Sequence, residues 1–289
     1  MIDGLPLSPR IDPHTHSSCS DGTETPAELM AAAARAGLDV VGLTDHDTTA
    51  GWEQAAAAVP TSGVALLRGT EISCADRGLT LHLLAYLFDP DDDALAEAFA
   101  TARRSRESRS QRMVELLSED YPITWQDVVE QAVDSRTIGR PHIADALVAA
   151  GAFRDRAAAF DGPLATSSPY YVRYWALDPV EACVLVRAAG GVPIAAHPRA
   201  GGRQRRLVPD ETFARMAEAG LAALEVDHRD HTPAQREQAR ALAESLGLGV
   251  SGSSDYHGRG KPNRLGEHLM DAALLERILD EGNLGLVMP

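Results

Sequence analysis

Short apolar runs alternate with longer amphipathic stretches along most of the chain. Seven apolar runs predict β-strands, at residues 11–14, 40–43, 64–72, 79–87, 192–196, 223–226 and 249–252. Between them, a period of three to four residues predicts helices at residues 26–36, 179–189, 209–219 and 233–246. This alternation of strand and helix favours a mostly parallel sheet or barrel with the helices outside.

The starts of these helices carry recognisable signals. All four begin at a proline, and the first turn is where proline costs least because its missing N–H would be unpaired there anyway. Thr25 precedes Pro26, and Glu28 follows three residues after Thr25. This spacing predicts a capping box at the first of these helices.

The alternation stops in the middle of the chain, between residues 89 and 178. Helical patterns occur there at residues 92–117, 126–133 and 142–150. An aromatic loop follows at residues 170–175. Similar motifs follow the strands on both sides of this part, which favours an insertion over two sequential domains. We therefore predict a barrel domain of residues 1–90 and 176–289, with a helical insertion of residues 91–175 that caps the substrate.

Composition fits a globular protein without membrane spans. The 289 residues are 44% hydrophobic and 24% charged, and no run approaches the ~20 apolar residues that cross a bilayer. The first residues lack the pattern of a secretory signal, and three widely spaced cysteines suggest reduced thiols. We expect a cytoplasmic protein that does not bind membranes. No feature of the sequence predicts an oligomeric state.

The net charge of −15 disfavours broad binding of nucleic acid. We therefore expect no binding of duplex DNA. A small basic pocket for a phosphorylated ligand remains compatible with this charge, and part of the excess acid is explained if carboxylates bind cations.

Candidate metal ligands begin at the first strand. His14 and His16 in the sequence IDPHTH are two residues apart, so on a strand they share one face and can chelate one cation. A pair of surface histidines is the alternative. Asp12 lies on the same face and is placed to orient a ligand imidazole from behind.

Further ionisable residues follow in the next two loops. Asp21 lies in SCSDG, where an Asp-Gly pair also marks an ordinary turn. An apolar strand then ends abruptly in Asp45, His46 and Asp47, at the strand end where barrel folds place their chemistry. A solvated loop cluster is the alternative interpretation.

Five more candidates interrupt or follow later apolar runs. Glu71 closes VALLRGTEIS, and a carboxylate there is costly to bury without a cation or donor. His82 interrupts LTLHLLAY, where a satisfied core histidine is the usual explanation. His197 follows GVPIAA, and Asp255 and His257 follow GVSGSS. Their coincidence with strand ends, or with the loops just after them, indicates a metal centre.

The order of these motifs resembles the PHP (polymerase and histidinol phosphatase) family. HxH, TDHD, GTEIS, LHLLAY, AHP and SSDYH occur in the order typical of that family, on both sides of the helical part. The resemblance implies a distorted (β/α)7 barrel, an α/β fold smaller than the eight-fold barrel. It also implies two or three divalent metal ions at the C-terminal ends of the strands.

The family pattern also implies which residues share each ion. One ion would be bound by His14, His16, Glu71 and Asp255, a second by Glu71, His82 and His197, and a third by Asp21, His46 and His257. Some family members have histidine in place of Asp21. Nitrogen and oxygen ligands without thiolate suit Mn²⁺, Fe²⁺ or Zn²⁺.

Adjacent divalent ions suit the hydrolysis of phosphate esters. We expect a metal-bridging hydroxide, held by His14, His16, Glu71 and Asp255, to attack phosphorus in line. Asp12, Asp45 and Asp47 would support the ligands from behind. The proton for the leaving oxygen would come from a metal-bound water or a nearby histidine.

Candidate substrate-binding residues lie outside these motifs. Arg140 and His142 in GRPHIADAL stand at a predicted helix start, which suits a phosphate; a simple charge pair is the alternative. The stretch PRAGGRQRR brings together four arginines, of which Arg199 lies nearest to a predicted ligand and is the best placed to face the metals. The others, Arg203, Arg205 and Arg206, are equally typical of a solvated loop.

An aromatic loop and a histidine pair complete the candidates. Tyr171, Arg173 and Trp175 would line a nucleobase pocket or anchor the insertion to the barrel. His228 and His231 lie in EVDHRDHTPAQ, and we count His231 among the substrate-binding residues.

EVDHRDHTPAQ, GRPHIA and KPNRLGE together resemble one branch of the PHP family. That branch contains 3′,5′-bisphosphonucleotide phosphatases and small-RNA 5′→3′ exonucleases. The expected substrate is therefore a small phosphorylated nucleotide, such as pAp, an AMP-type nucleotide or a short oligonucleotide. Histidinol-phosphate phosphatase and a non-catalytic accessory module remain as alternatives.

Overall fold

Seven strands form one curled sheet in which the spatial order follows the chain order. The computed structural model describes residues 2–133, 135–202 and 206–289. The strands are β1 (Ile11–Thr15), β2 (Val40–Leu43), β3 (Ala65–Asp76), β4 (Leu79–Tyr86), β5 (Val192–Ala196), β6 (Ala223–Asp227) and β7 (Gly249–Gly252). All seven coincide with strands predicted from the apolar runs.

One strand runs against the others. β4 pairs antiparallel with both β3 and β5, whereas the remaining four pairs are parallel. The reversal occurs because Arg77 and Gly78, with φ of 48° and 79°, form a tight turn that joins β3 and β4 as a hairpin. The sheet is therefore mostly parallel, as predicted.

The two ends of the sheet approach each other. Thr15, at the end of β1, forms an isolated parallel bridge with Tyr256, after β7. The His16 backbone N–H donates to the Tyr256 carbonyl at 2.8 Å. This contact curls the sheet into a distorted seven-stranded barrel, and it confirms the predicted fold class.

Ten helices surround or extend this sheet. They are α1 (Pro26–Arg35), α2 (Trp52–Ser62), α3 (Asp93–Leu117), α4 (Trp125–Glu130), α5 (Arg140–Ala149), α6 (Arg156–Asp161), α7 (Pro179–Ala188), α8 (Asp210–Glu218), α9 (Pro233–Ser245) and α10 (Ala272–Glu281), among the described residues. The capping box at α1 is confirmed, since the side chains of Thr25 and Glu28 each accept a hydrogen bond from the other residue's backbone N–H. None of these helices is long and apolar enough to cross a membrane.

Buried apolar side chains form three groups. The largest lies between the sheet and the helices packed against it, such as α1 and α7. A second includes Ile11, Val40 and Tyr86, and the Tyr86 hydroxyl donates to the Pro13 carbonyl of β1 at 2.9 Å. Since β1 and β4 are not neighbours in the sheet, this bond crosses the barrel interior. A third group belongs to α3–α6 and includes Met113 and Ile143.

Candidate metal centre

The nine predicted metal ligands converge at one end of the barrel, because adjacent strands carry them to the same place. His14 lies in β1, His16 and Asp21 follow it, His46 follows β2, His197 follows β5, and Asp255 and His257 follow β7. Glu71 and His82 lie within β3 and β4 rather than at strand ends. The position of His82 inside its strand agrees with the prediction, whereas Glu71 does not close its run, because β3 continues to Asp76 in the β3–β4 hairpin.

One group of four donors surrounds a single point. The Nε2 atoms of His14 and His16 lie 3.3 and 3.1 Å from Glu71 Oε2. Both nitrogens are also 3.5 Å from Asp255 Oδ1. These four donors could hold one metal ion, and they are the set that the family pattern implied.

A second group lies on the other side of His16. His16, Asp21, His46 and His257 offer donor atoms close enough to share an ion. His257 Nε2 is 3.2 Å from Asp21 Oδ1, and His46 Nε2 is 3.8 Å from Asp21 Oδ2. The family pattern implied three of these residues, and the geometry adds His16 through its Nδ1, 3.6 Å from Asp21 Oδ1.

Glu71 links the remaining candidates. Its Oε1 is 2.7 Å from His82 Nδ1 and 3.2 Å from His197 Nε2. Its Oε2 is 3.3 Å from His46 Nδ1, and His46, Glu71 and His82 form a third group able to hold an ion. The carboxylate therefore lies between the groups, where a bridging ligand belongs.

Two buried atoms in this cluster fit a bound cation. Among the described residues, Glu71 Oε2 has no hydrogen-bond partner although three histidine nitrogens lie around it, and His257 Nε2 has none either. Buried polar atoms are ordinarily paired. Divalent ions bound by the groups to which these two atoms belong would supply the missing partners, and an all-nitrogen-and-oxygen donor set suits Mn²⁺, Fe²⁺ or Zn²⁺.

Protonation in the cluster also suits metal binding. Burial alone would raise the pKa of Glu71, but the nearby His82, His46 and His14 hold it well below its usual range. Burial, with Lys261 and His16, lowers the pKa of His257 to about 4. At neutral pH the carboxylate is charged and this imidazole is neutral, which is the state that metal binding requires.

The backbone is strained at three places in the site. Asp47, His197 and Asp255 have φ of 52°, 30° and 52°, in the left-handed region that side chains other than glycine rarely adopt. Such conformations persist where the surroundings hold them, and they cluster at functional sites.

The three aspartates predicted to support the ligands bind backbone N–H groups near the site. Asp45 accepts hydrogen bonds from the Ser17 backbone and from the Ser20 hydroxyl. Asp47 accepts from the Ser73 backbone N–H at 2.8 Å.

Asp12 departs from its predicted contact. It accepts from the backbone N–H groups of Ser254 and Gly266, at 3.0 and 2.8 Å, rather than orienting an imidazole. Burial raises the pKa of this carboxyl to about 6. Asp12 therefore positions the loop that carries Asp255.

Glu225 has the role that the sequence analysis gave to Asp12. Its Oε1 lies 3.1 Å from His14 Nδ1, and its Oε2 accepts from the His197 backbone N–H at 2.8 Å. It is fully buried, and the neighbouring His14 keeps its pKa low against the effect of burial. The position of this glutamate inside the apolar run of β6 is the sequence feature that could have identified it.

His228 is a second residue that the sequence analysis left without a role. It is fully buried, and its Nδ1 accepts from the Asp230 backbone N–H at 3.0 Å. Its Nε2 makes no hydrogen bond and lies 3.6 Å from Asp255 Oδ2. Lys261 approaches the same oxygen at 3.0 Å. Both residues face the oxygen of Asp255 that points away from His14 and His16.

A cavity of about 640 Å³ joins this cluster to the helical part of the chain. Asp21, His46, His82, His197 and His257 line its barrel side. From the helical part, the cavity is lined by Arg106, Arg109, Arg140, Tyr171 and Tyr174.

Three arginines bring positive charge into this cavity. Arg106 and Arg109 of α3 are buried, and the sequence analysis did not single them out. The Arg109 guanidinium lies 4.5 Å from the centre of the Tyr174 ring, and its Nε has no hydrogen-bond partner in the part of the chain that the structure describes. Arg140 lies against the rings of Phe160 and Tyr171. The three guanidinium groups form a basic wall of the cavity, and this wall reaches the candidate metal ligands, since Arg106 Nη2 lies 3.4 Å from His46 Nδ1.

Of the four predicted substrate-binding residues, only Arg140 lines the cavity. His142 accepts a hydrogen bond from the Gly139 backbone at the start of α5. The Arg199 guanidinium packs over Phe213 and pairs with Asp210, so it faces α8 rather than the metals.

His231 binds backbone through both ring nitrogens. It accepts from the Arg199 N–H and lies 2.8 Å from the Val226 carbonyl. It therefore positions the loop after β5 and makes no contact with the cavity.

The remaining candidates of the aromatic loop and of the arginine-rich stretch lie in different places. Tyr171 lines the cavity, whereas Arg173 lies beside the Gly78 turn and Trp175 is 47% exposed. Arg206 is exposed, and Arg203 and Arg205 lie outside the described residues.

Comparisons with known proteins agree with this geometry. The PHP domain family matches residues 12–147. A 3′,5′-nucleoside bisphosphate phosphatase of Chromobacterium violaceum is 31% identical over 268 residues, covering 90% of this chain and 92% of the relative. A 5′-3′ exoribonuclease of Haemophilus influenzae is 29% identical over 255 residues, covering 87% and 91%.

A solved structure is similar over nearly the whole chain. A crystal structure from Bifidobacterium adolescentis, described as a metal-dependent phosphoesterase, has a TM-score of 0.92 and 45% identity. The match includes 96% of this chain and 98% of the Bifidobacterium chain.

Proposed function

Since the chain belongs to the PHP family of metal-dependent phosphoesterases, we propose that it hydrolyses phosphate esters of small nucleotides. The proposed substrate carries a second phosphate, as in a 3′,5′-bisphosphonucleotide such as pAp. AMP-type nucleotides and short oligonucleotides are weaker candidates. The bisphosphate phosphatase and the exoribonuclease among its relatives support this substrate class.

The observation that carries the proposal is the basic wall of the cavity. Arg106, Arg109 and Arg140 line the same cavity as five of the candidate metal ligands, in a protein whose net charge is −15. Guanidinium groups bind phosphate well because their N–H groups match its oxygens. The unpaired Nε of Arg109 leaves a buried donor available for such an anion.

Two to three divalent ions would be bound by the nine candidate ligands. Such ions, when bound, activate water for attack on phosphorus and neutralise charge on the phosphoryl oxygens. The protein's own residues set the geometry. Glu225 orients His14, and Lys261 and His228 face the outer oxygen of Asp255.

A substrate panel tests the proposal. Initial rates of phosphate release are compared for pAp, AMP, a short 5′-phosphorylated RNA and histidinol phosphate, with the protein reconstituted in Mn²⁺. We expect the highest kcat/KM for pAp. A preference for histidinol phosphate would reject the nucleotide proposal, and inactivity on all four would favour an accessory module.

A further inference from the structure

Hydrogen bonds from the helical part of the chain converge on two loops that carry candidate metal ligands. The Ser135 hydroxyl donates to the Ser20 carbonyl at 2.6 Å, and the Arg136 backbone N–H donates to the Cys19 carbonyl at 2.8 Å. These two carbonyls directly precede Asp21.

Two further bonds reach the ligand residues themselves. The Thr137 hydroxyl donates to the His46 carbonyl at 2.8 Å, and Arg156 Nη1 donates to the Asp21 carbonyl at 3.2 Å. Arg156 is held in place by a two-pronged contact with Asp145.

The direction of these bonds is uniform. In each of them the donor belongs to the helical part and the acceptor is a backbone carbonyl of a barrel loop. The threonine is 2% exposed and the loops are largely buried. Buried carbonyls that lose their partners are costly, so the loops would rearrange without these donors.

We propose that Thr137 and Arg156 are positioning residues for one metal ion, the one shared by His16, Asp21, His46 and His257. This inference rests on the proposed function, in the form in which the nine candidate ligands bind three ions. The helical part then completes the metal site as well as covering the substrate. In the described structure these donors bind no backbone carbonyl of His14, His16, Glu71 or Asp255, so the ion that these four residues share should lose much less affinity.

The proposal predicts a selective loss of metal. The variants Thr137→Val and Arg156→Met, singly and together, remove side-chain donors and leave every proposed metal ligand unsubstituted. We expect the double variant to retain two ions per chain where the parent retains three, by inductively coupled plasma mass spectrometry. The Kd of the weakest Mn²⁺ site, by isothermal titration calorimetry, should rise about tenfold, in the usual range for groups behind metal ligands.

Three companion variants make the result specific. Thr137→Ser keeps the hydroxyl and should restore the third ion. Thr101→Val makes the same change on α3, where the hydroxyl contacts only Glu97 and Arg104 of the same helix in the described structure, and should keep all three ions. Asp21→Asn removes a proposed ligand and should lose one ion. Circular dichroism checks that each variant is folded.

The outcomes distinguish a wrong positioning role from a wrong third metal site. If Asp21→Asn loses an ion while the double variant keeps three with unchanged Kd, the positioning role is wrong and the three-ion centre stands. If Asp21→Asn also keeps three ions, the proposed third site is wrong and the inference falls with it. A loss of all ions in the folded double variant would equally contradict a selective role.

Discussion

At the scale of single residues, the site depends on a few side chains whose environment sets their charge. His257 is the clearest case, since burial is the largest influence lowering its pKa to about 4. An unfolded histidine titrates at about 6.5. Between pH 4 and pH 6.5, the ring in the folded, metal-free protein is therefore neutral, whereas the ring in the unfolded chain is protonated.

This difference predicts how stability changes with pH. The contribution of His257 is complete above pH 6.5 and is lost as pH falls towards 4, because only the unfolded state then binds the proton. The shift corresponds to on the order of 3 kcal/mol. Urea unfolding of chelator-treated protein should show that the parent loses about this much more stability than His257→Gln between pH 7 and pH 4. Parallel curves for the two proteins would contradict the buried, neutral ring.

Arg109 carries the prediction about substrate selection. Arg109→Met keeps most of the side-chain volume and removes the guanidinium that faces the cavity. We expect KM for pAp to rise by about tenfold to a hundredfold, the loss of a charge-assisted contact of roughly 1.5–3 kcal/mol. KM for AMP should change far less, because AMP lacks the second phosphate.

A matched variant controls for general effects of losing charge on α3. Arg112 lies on the same helix and its guanidinium pairs with Glu115, both exposed. Arg112→Met should leave both KM values unchanged. Equal increases for pAp and AMP in Arg109→Met would show that the arginine does not read the second phosphate.

At the scale of elements, the barrel is braced across its interior. The Tyr86 hydroxyl of β4 donates to the Pro13 carbonyl of β1, one residue before His14. Tyr86→Phe should lower the free energy of unfolding by about 1 kcal/mol, the usual value of one buried hydrogen bond. Urea unfolding of metal-free protein measures this, and an unchanged midpoint and slope would contradict a bracing role.

The sequence predicts elements better than it predicts contacts. The apolar runs locate all seven strands, and Thr25 with Glu28 locates the start of α1. The pattern does not predict the reversal of β4, because an antiparallel and a parallel strand can have the same apolar run; only the Arg77–Gly78 turn distinguishes them. It also does not predict α10, near the end of the chain.

In the candidate site, too, the sequence predicts which residues come together better than it predicts their contacts. The motif order brings the nine predicted ligands together, because strand order alone places them at one rim. Arg199 and His231 are turned away by partners that sequence distance does not reveal, namely Asp210 and the Val226 carbonyl. Glu225 is missed because a lone glutamate in an apolar strand has no fixed partner in the sequence.

At the scale of the whole molecule, charge is distributed unevenly. A chain of net charge −15 concentrates Arg106, Arg109 and Arg140 in the cavity that the candidate metal ligands also line. Bound divalent ions would offset the carboxylates among these ligands, so that the cavity attracts phosphate. The barrel supplies the ligands, and the helical part supplies the basic wall.

The central claim is that hydrolysis requires the ions bound by the nine-residue cluster. The direct measurement is metal content by mass spectrometry alongside the rate of pAp hydrolysis, for the parent, the chelator-treated protein and folded Asp255→Asn. We predict that activity and metal are lost together in the latter two, and that Mn²⁺ restores only the chelator-treated parent. Full activity in protein without divalent metal would contradict the account.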